Sequence, residues 1–433
     1  MNKPSIRTKG YSDKAGKFHA FIDNWDKRKL SELATMHARI GWQNLRTSEF
    51  LDDGDYLLIT GTDFEDGRIN FSTCHYVEKE RYEQDKHIQI SDGSILITKD
   101  GTLGKVAYVQ GLAKPATLNA GVFNVEIKDK KEVDGKYLFQ YLKAPFLMDY
   151  VNQRATGGTI KHLNQSILVD FPVMLPERKE QEKIGLLFEE VDNIITIHQR
   201  ELLKLNNLKI GFLQKLFPQG DSKVPEIRFD GYTDKYGKHH RFTEDWEQLE
   251  LGRIADKVTK KNTELQYSET FTNSAEYGII NQMEFFDKEI SNSDNINGYY
   301  VVEPDDFVYN PRISSRAPVG PINRNKLNRT GVVSPLYTVF KTHDIDTLYL
   351  EWFFKSNTWH NFMRFNGDTG ARSDRFSIKN DQFFTMPIAV PRKEEQEKIG
   401  AFLEQLDSTI TLYQHELEIL KRLKTGFLQK MFV

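Results

Sequence analysis

The chain is short of cysteine, of paired prolines, of long apolar runs and of net charge, and each shortage removes a class of function. Cys74 is the single cysteine in 433 residues, which excludes an internal disulfide framework and a cysteine-based zinc cluster. No two prolines are adjacent, so the Asx-Pro-Pro-aromatic motif of amino-methyltransferases cannot occur; Asn310-Pro311-Arg312 is the nearest approach. There is no P-loop, and no glycine-rich dinucleotide turn follows a strand. No histidine pair shows a helical metal-ligand spacing with acid support, so no catalytic residue and no metal ligand is assigned. No run approaches the length of a membrane span and no charged-then-apolar leader opens the chain; a soluble cytoplasmic protein is expected. The formal net charge of −3 means that any nucleic-acid surface must be local.

What is present is a duplication. Pro176–Phe217 and Pro391–Phe432 align without a gap at an offset of 215, with 23 of 42 positions identical, including QEKIG (181–185, 396–400) and GFLQK (211–215, 426–430). Each copy reads as a long amphipathic helix. Ile184, Val191, His198, Leu205 and Phe212 recur every seven residues in the first, and Ile399, Leu406, Tyr413, Leu420 and Phe427 in the second, a seam that must be buried on another helix. Pro218 stops the first copy. With a two-fold axis the helices lie antiparallel. A crossing at His198 and Tyr413 would then set Gly185 against Gly426 and Gly211 against Gly400, as close backbone approaches. An ordinary helical hairpin core is the plainer alternative.

The opening is duplicated too. Pro4–Ala34 matches Pro225–Ala255 at 14 of 31 positions, Trp25 and Trp246 among them. The order is head–domain–helix, twice, so the termini should lie near each other and the two tryptophans should anchor cores. Within the domains, 56–61, 94–109, 120–127, 167–176, 305–310, 332–341 and 383–391 read as strands. Residues 137–153 and 347–364 read as helices, the first interrupted by Pro145. The expected fold is α+β: two similar mixed α/β globular domains (1–175 and 218–390) separated by two long antiparallel coiled-coil helices (176–217 and 391–433), pseudo-two-fold and circularly arranged.

Scaffold parts are nearly repeated while domain interiors diverge, as expected of two domains that do one job on different targets. Local charge points to the surface that does it. From Phe307 to His343 there is no acid, against six bases: Arg312, Arg316, Arg324, Lys326, Arg329 and Lys341. Arg312, Ser314, Ser315, Arg316 and Arg324 suit phosphate contacts and base-edge hydrogen bonds. The matching place in the first half holds Lys99, Lys105 and Lys114. A second window, 150–169, carries Arg154, Thr156, Gly157, Gly158, Thr159, Lys161, His162 and Asn164; its counterpart, 368–379, carries Arg372, Ser373 and Arg375. Solvated surface loops are the alternative for any one of these residues.

The repeated helix entered through Pro-x-x-x-E-Q-E-K-I-G and ending GFLQK-[LM]-F resembles the specificity subunit of type I restriction–modification systems. The W-x-x-x-x-L-x-x-[LI]-A elements (Trp25–Ala34, Trp246–Ala255) add support, and the resemblance covers the whole chain. It implies two target-recognition domains, each reading half of a split double-stranded DNA site, and helices acting as a conserved spacer. The partners implied are two modification subunits, which hold S-adenosylmethionine and methylate adenine N6, and restriction subunits. No cofactor and no active site is expected in this chain. Recognition domains vary through the family, so the loop residues rest on charge and turns alone. A coiled-coil scaffold or adaptor without DNA readout, and a single-chain restriction enzyme, remain as other readings.

Overall fold

The structure is a computed structural model that describes residues 10–12, 18–20, 25–154, 162–220, 222–283, 293–369 and 374–432. The chain forms two compact units, Met1–Gln199 with Glu416–Val433, and Arg200–His415. The two long helices, a first rod over Arg178–Lys215 and a second over Lys393–Met431, are divided between them.

In the first unit a four-stranded antiparallel sheet runs in the order 106–108, 95–98, 122–127, 34–37. Ile95–Thr98 is buried along its whole length, because the sheet is covered on both faces. In the second unit the corresponding sheet runs 322–324, 307–309, 338–342, 255–257, the same order and the same antiparallel sense. Two diverged interiors therefore keep one topology. The first domain adds a second four-stranded sheet in which 116–118 pairs parallel to 56–59. The duplicated heads supply a strand to each domain: Asp26–Lys29 pairs with Pro172–Leu175, and Glu247–Glu250 with Pro387–Val390.

The interrupted helix is seen as two, Gly135–Lys143 and Phe146–Arg154, broken at Ala144-Pro145. The second domain repeats this with Thr347–Lys355 and His360–Asn366. Two strand expectations were too long. Gln165–Val169 and Asn380–Phe384 are single helical turns, and only the residues from Pro172 and Pro387 onward extend. A short apolar run has no period that separates the two conformations, and Leu168 and Phe383 reach their cores from a helical turn.

QEKIG is where each domain grips its rod. Gln181 Oε1 accepts from Asp134 N at 2.8 Å while its amide donates to the Glu132 and Pro176 carbonyls. Gln396 Oε1 accepts from Asp346 N at 2.9 Å and its amide donates to the Pro391 carbonyl. Asp134 and Asp346 cap the helices that follow them by accepting from Tyr137 N and Tyr349 N. Those helix starts lie directly on a glycine. A Cβ on Gly185 would meet Tyr137 N at 3.0 Å, and one on Gly400 would meet Tyr349 N at 3.1 Å.

The expected glycine pairs are thus overturned. Gly185 and Gly400 face their own domains, and among the described residues a Cβ on Gly211 or Gly426 would meet nothing within 4 Å. The register differs as well. In the first unit Lys424 Nζ donates to Asp192 Oδ1 at 2.5 Å and His198 Nε2 lies 3.6 Å from Glu416. A crossing at His198 and Tyr413 would have put Ile419, not Lys424, level with Asp192. In the second unit Lys209 donates to Asp407, and the Phe212 and Phe402 rings are 4.9 Å apart. Within each unit the rod segments are antiparallel, and the 215-residue offset turns one ion pair into the other.

The seam is shared between rod and domain. Ile184 and Phe188 enter the first domain's core, and Ile399 and Leu403 the second's. Val191, His198, Leu205, Phe212, Leu406, Tyr413 and Leu420 are half-buried. Phe427 is 45% exposed, so it is not part of the seam. At the matched turn of the first rod Phe212 stays half-buried against Phe402, whereas the last turns of the second rod are held to the first domain through Lys424 on Asp192 and Leu428 in the core. Lys424 and Leu428 are buried in its place.

The rod ends plug the cores. Phe217 is fully buried beside Tyr349 and Phe353, and Phe432 is buried among the first domain's aromatic rings. Trp246 is buried, and Trp25 packs half-buried with its ring 6.5 Å from Phe432. The termini themselves, 1–9 and 433, lie outside the described residues.

Candidate nucleic-acid interface

In each domain the two polar windows are brought side by side, by the same device. In the first, strand 95–98 leads into a loop whose base is closed by Thr98, which donates to the Thr102 carbonyl and accepts from Lys105 N at 3.0 Å. Gly101 and Gly104 sit at φ +73° and +72°, left-handed values that the turn requires. Leu163 N donates to the Lys99 carbonyl at 2.8 Å, and Asp100 and His162 form a bridge with His162 Nδ1 2.5 Å from Asp100 Oδ1. In the second domain Arg312 and Arg375 form the corresponding bridge. Ile313 N donates to Asp374 O at 3.0 Å and Phe376 N to Pro311 O at 2.7 Å.

The second domain supports its loop from below with three asparagines. Asn310 Nδ2 donates to the Asn273 carbonyl, Asn273 Nδ2 to the Val308 carbonyl, and Asn323 Nδ2 to Asn273 Oδ1. Asn310 Oδ1 then accepts from Arg312 N at 3.0 Å, which sets the start of the Arg312–Arg316 stretch. Asn310 and Asn273 are buried, so this network orders the loop backbone. Composition offered no sign of it, since asparagines 37 residues apart carry no joint signal.

Arg312, Ser314, Ser315 and Arg316 are exposed on this loop, and Arg375 is half-buried next to it. A turn at Ser314–Ala317, in which Ala317 N donates to Ser314 O at 3.1 Å, presents the serines and Arg316 outward. In the first domain Lys105, Arg154, His162 and Asn164 are exposed and Lys99 is half-buried, its ammonium 5.4 Å from the Phe123 ring centre. The Arg154 guanidinium stacks 3.6 Å from the centre of the Tyr150 ring. Thr156, Gly157, Gly158, Thr159, Lys161, Arg372 and Ser373 lie outside the described residues.

Arg324 does not belong with the exposed bases. Its side chain is 14% exposed and pairs with Glu351 at 2.7 Å and Asp305 at 2.6 Å. The acid-free window counted only neighbours in sequence, whereas folding brings carboxylates from elsewhere. Arg316 meets Glu276, Lys326 meets Glu351 and Glu404, Arg329 meets Glu269, and Lys341 meets Glu303. Of the six bases Arg312 has no carboxylate partner among the described residues, which leaves its fork open to a ligand. Charge reasoning also missed Phe365, 92% exposed near the end of His360–Asn366 and three residues before the Asp368–Ser377 bridge. The arrangement offers guanidinium, ammonium, hydroxyl and amide groups on adjacent loops, the chemistry of phosphate and base-edge contact.

Comparison with known proteins adds an independent line. Residues 22–207 and 243–422 each match the family described as type I restriction modification DNA specificity domain. The type I restriction enzyme MjaVIII specificity subunit of Methanocaldococcus jannaschii is 25% identical over 353 residues, 78% of each chain. A second protein of that organism, assigned as the MjaX specificity subunit, is 24% identical over 93% of this chain and 91% of its own. Among solved structures, the S subunit of a type I restriction-modification system from M. genitalium covers 95% of this chain and 96% of its own, at 15% identity and a TM-score of 0.56. A chain from work on assembly of the type I R-M system covers 96% and 99%, at 16% identity and a TM-score of 0.52. At such identities the structural likeness is one of fold.

Proposed function

This chain belongs to the type I restriction–modification DNA specificity family, and from that premise we propose that it is the DNA-recognition subunit of such a complex, each domain reading one half of a bipartite double-stranded site. The observation that carries the reading is one loop arrangement built twice, with different side chains: Asp100 bridged to His162, and Arg312 bridged to Arg375. Equal scaffolds with unequal reading surfaces suit two unlike half-sites.

The rods act as spacer and dock. At ~1.5 Å per residue, 38 and 39 residues give helices of ~57 Å, enough to span the ~34–36 Å between half-sites one turn apart on B-DNA. Leu186, Ile197, Leu203, Leu208, Leu412 and Leu423 stand 50–62% exposed along them, an apolar supply for protein partners. Those partners are two modification subunits, which bring S-adenosylmethionine and methylate adenine N6, together with restriction subunits. The chain itself contributes recognition and no catalysis. Among the described residues no helix is long and apolar enough to cross a membrane.

The test is methylation mapping with the assembled modification complex. Exchanging residues 218–390 for another family member's second domain should change one half-sequence and leave the other. Inserting four residues into each rod should lengthen the recognised gap. An unchanged pair of half-sequences after the exchange refutes the reading.

A further inference from the structure

His37, His87 and Glu126 are far apart in sequence and meet on one face of the first domain's sheet. His37 ends the edge strand Ala34–His37, and Glu126 lies on its neighbour, Val122–Ile127. The register pairs His37 with Asn124 and Thr35 with Glu126, so period-two alternation puts all four side chains on the same face. His87 arrives on the turn Lys86–Ile88, which Asn124 clamps to that face by donating from Nδ2 to the His87 carbonyl at 3.1 Å. The two imidazoles stack with centroids 4.5 Å apart and planes 20° from parallel. His37 Nε2 lies 3.7 Å from Glu126 Oε2, and one ligand atom from each of the three residues falls within 4.8 Å of the others.

We propose that these three side chains bind one borderline divalent cation of the Zn2+, Co2+ and Ni2+ class. The donor set of two imidazole nitrogens and one carboxylate oxygen selects that class over Mg2+ and Ca2+, which take oxygen ligands. Bonds of ~2.0–2.2 Å hold ligand atoms roughly 3.5 Å apart around a tetrahedral ion, so the set must close by about 1 Å. His87 and Glu126 are exposed and free to rotate that far, while His37 is half-buried on its strand. A fourth position is left for water. Bound there, the ion ties the 86–88 turn to a sheet edge, in the first domain alone. Among the described residues no other such group of three is found.

The test uses the full chain, stripped with a chelator and titrated with Co2+ followed by visible absorption, then with Zn2+ in competition. One ion per chain is expected, displaced by Zn2+, with a Zn2+-dependent rise in the melting temperature. His87→Ala and Glu126→Gln, at exposed positions that leave the fold intact by circular dichroism, should each weaken uptake at least tenfold and abolish the thermal shift. Uptake no tighter than about 1 mM in the parent chain, or uptake equal in parent and His87→Ala, overturns the site.

Discussion

Phe432 should hold the first unit together from the far end of the chain. It is 3% exposed, with ring centroids 5.1 Å from Tyr141, 5.5 Å from Tyr137, 5.7 Å from Phe188, 6.2 Å from Phe146 and 6.5 Å from Trp25. Truncating a core Phe to Ala costs about 3–5 kcal/mol through lost transfer energy and the cavity left behind. Five ring neighbours, whose contacts add to area burial, place Phe432→Ala near the upper end. Phe217, with Tyr349 at 5.6 Å and Phe353 at 5.9 Å, should lose about 3–4 kcal/mol on the same change. In units of about this size 1 kcal/mol moves the melting temperature by about 2–4 °C, so a loss near 4 kcal/mol lowers it by about 8–16 °C. Hydrogen exchange read by mass spectrometry locates the damage. Phe432→Ala should deprotect 135–154 and leave 347–366 as in the parent, and Phe217→Ala should do the reverse. Deprotection of 347–366 by Phe432→Ala, or unchanged exchange in 135–154, would refute the reasoning.

The four rod glycines divide into two kinds. Gly185→Ala and Gly400→Ala push a methyl to 3.0 and 3.1 Å from a helix-start nitrogen and should cost about 1–3 kcal/mol, whereas Gly211→Ala and Gly426→Ala, with open space, should gain up to about 1 kcal/mol in denaturant midpoint analysis. Arg312→Ala should weaken DNA binding of the assembled complex by about 1–3 kcal/mol, at one base position if it reads a base and uniformly with a shallower salt slope if it holds phosphate. Arg324→Met should instead lower stability by about 3 kcal/mol, because it removes a partner of the buried Glu351; Lys326 and Lys355 remain to limit the loss. Burial pushes the Asp306 carboxyl up to about 6, and its Oδ1 meets no donor among the described residues. A raised folded-state value means that the native state binds the extra proton, so this group's contribution is present below pH ~4 and is lost as pH rises through about 6. Asp306→Asn should flatten that part of the stability–pH curve measured by urea titration; an unchanged slope between pH 4 and 7 would count against it.

Much of this protein was legible before folding was considered. The duplication, the rods, the break at Pro145 and the pairing of windows in corresponding places all follow from spacing along the chain, and the backbone turns such spacing directly into local structure. What spacing could not supply was the partner of each side chain. Glycines that looked like a rod-to-rod contact accept the starts of domain helices, since QEKIG fits its own domain. An acid-free tract is largely neutralised in space by Glu269, Glu276, Glu303, Glu351 and Glu404, which among the described residues leaves Arg312 as its one base without a carboxylate partner. His37, His87 and Glu126 share a face because strand register and one asparagine clamp put them there. Periodicity is a local property and survives in the sequence. Charge pairing and ligand geometry depend on which distant segments the sheet and the rods bring within a few ångströms, and only the tertiary structure decides that.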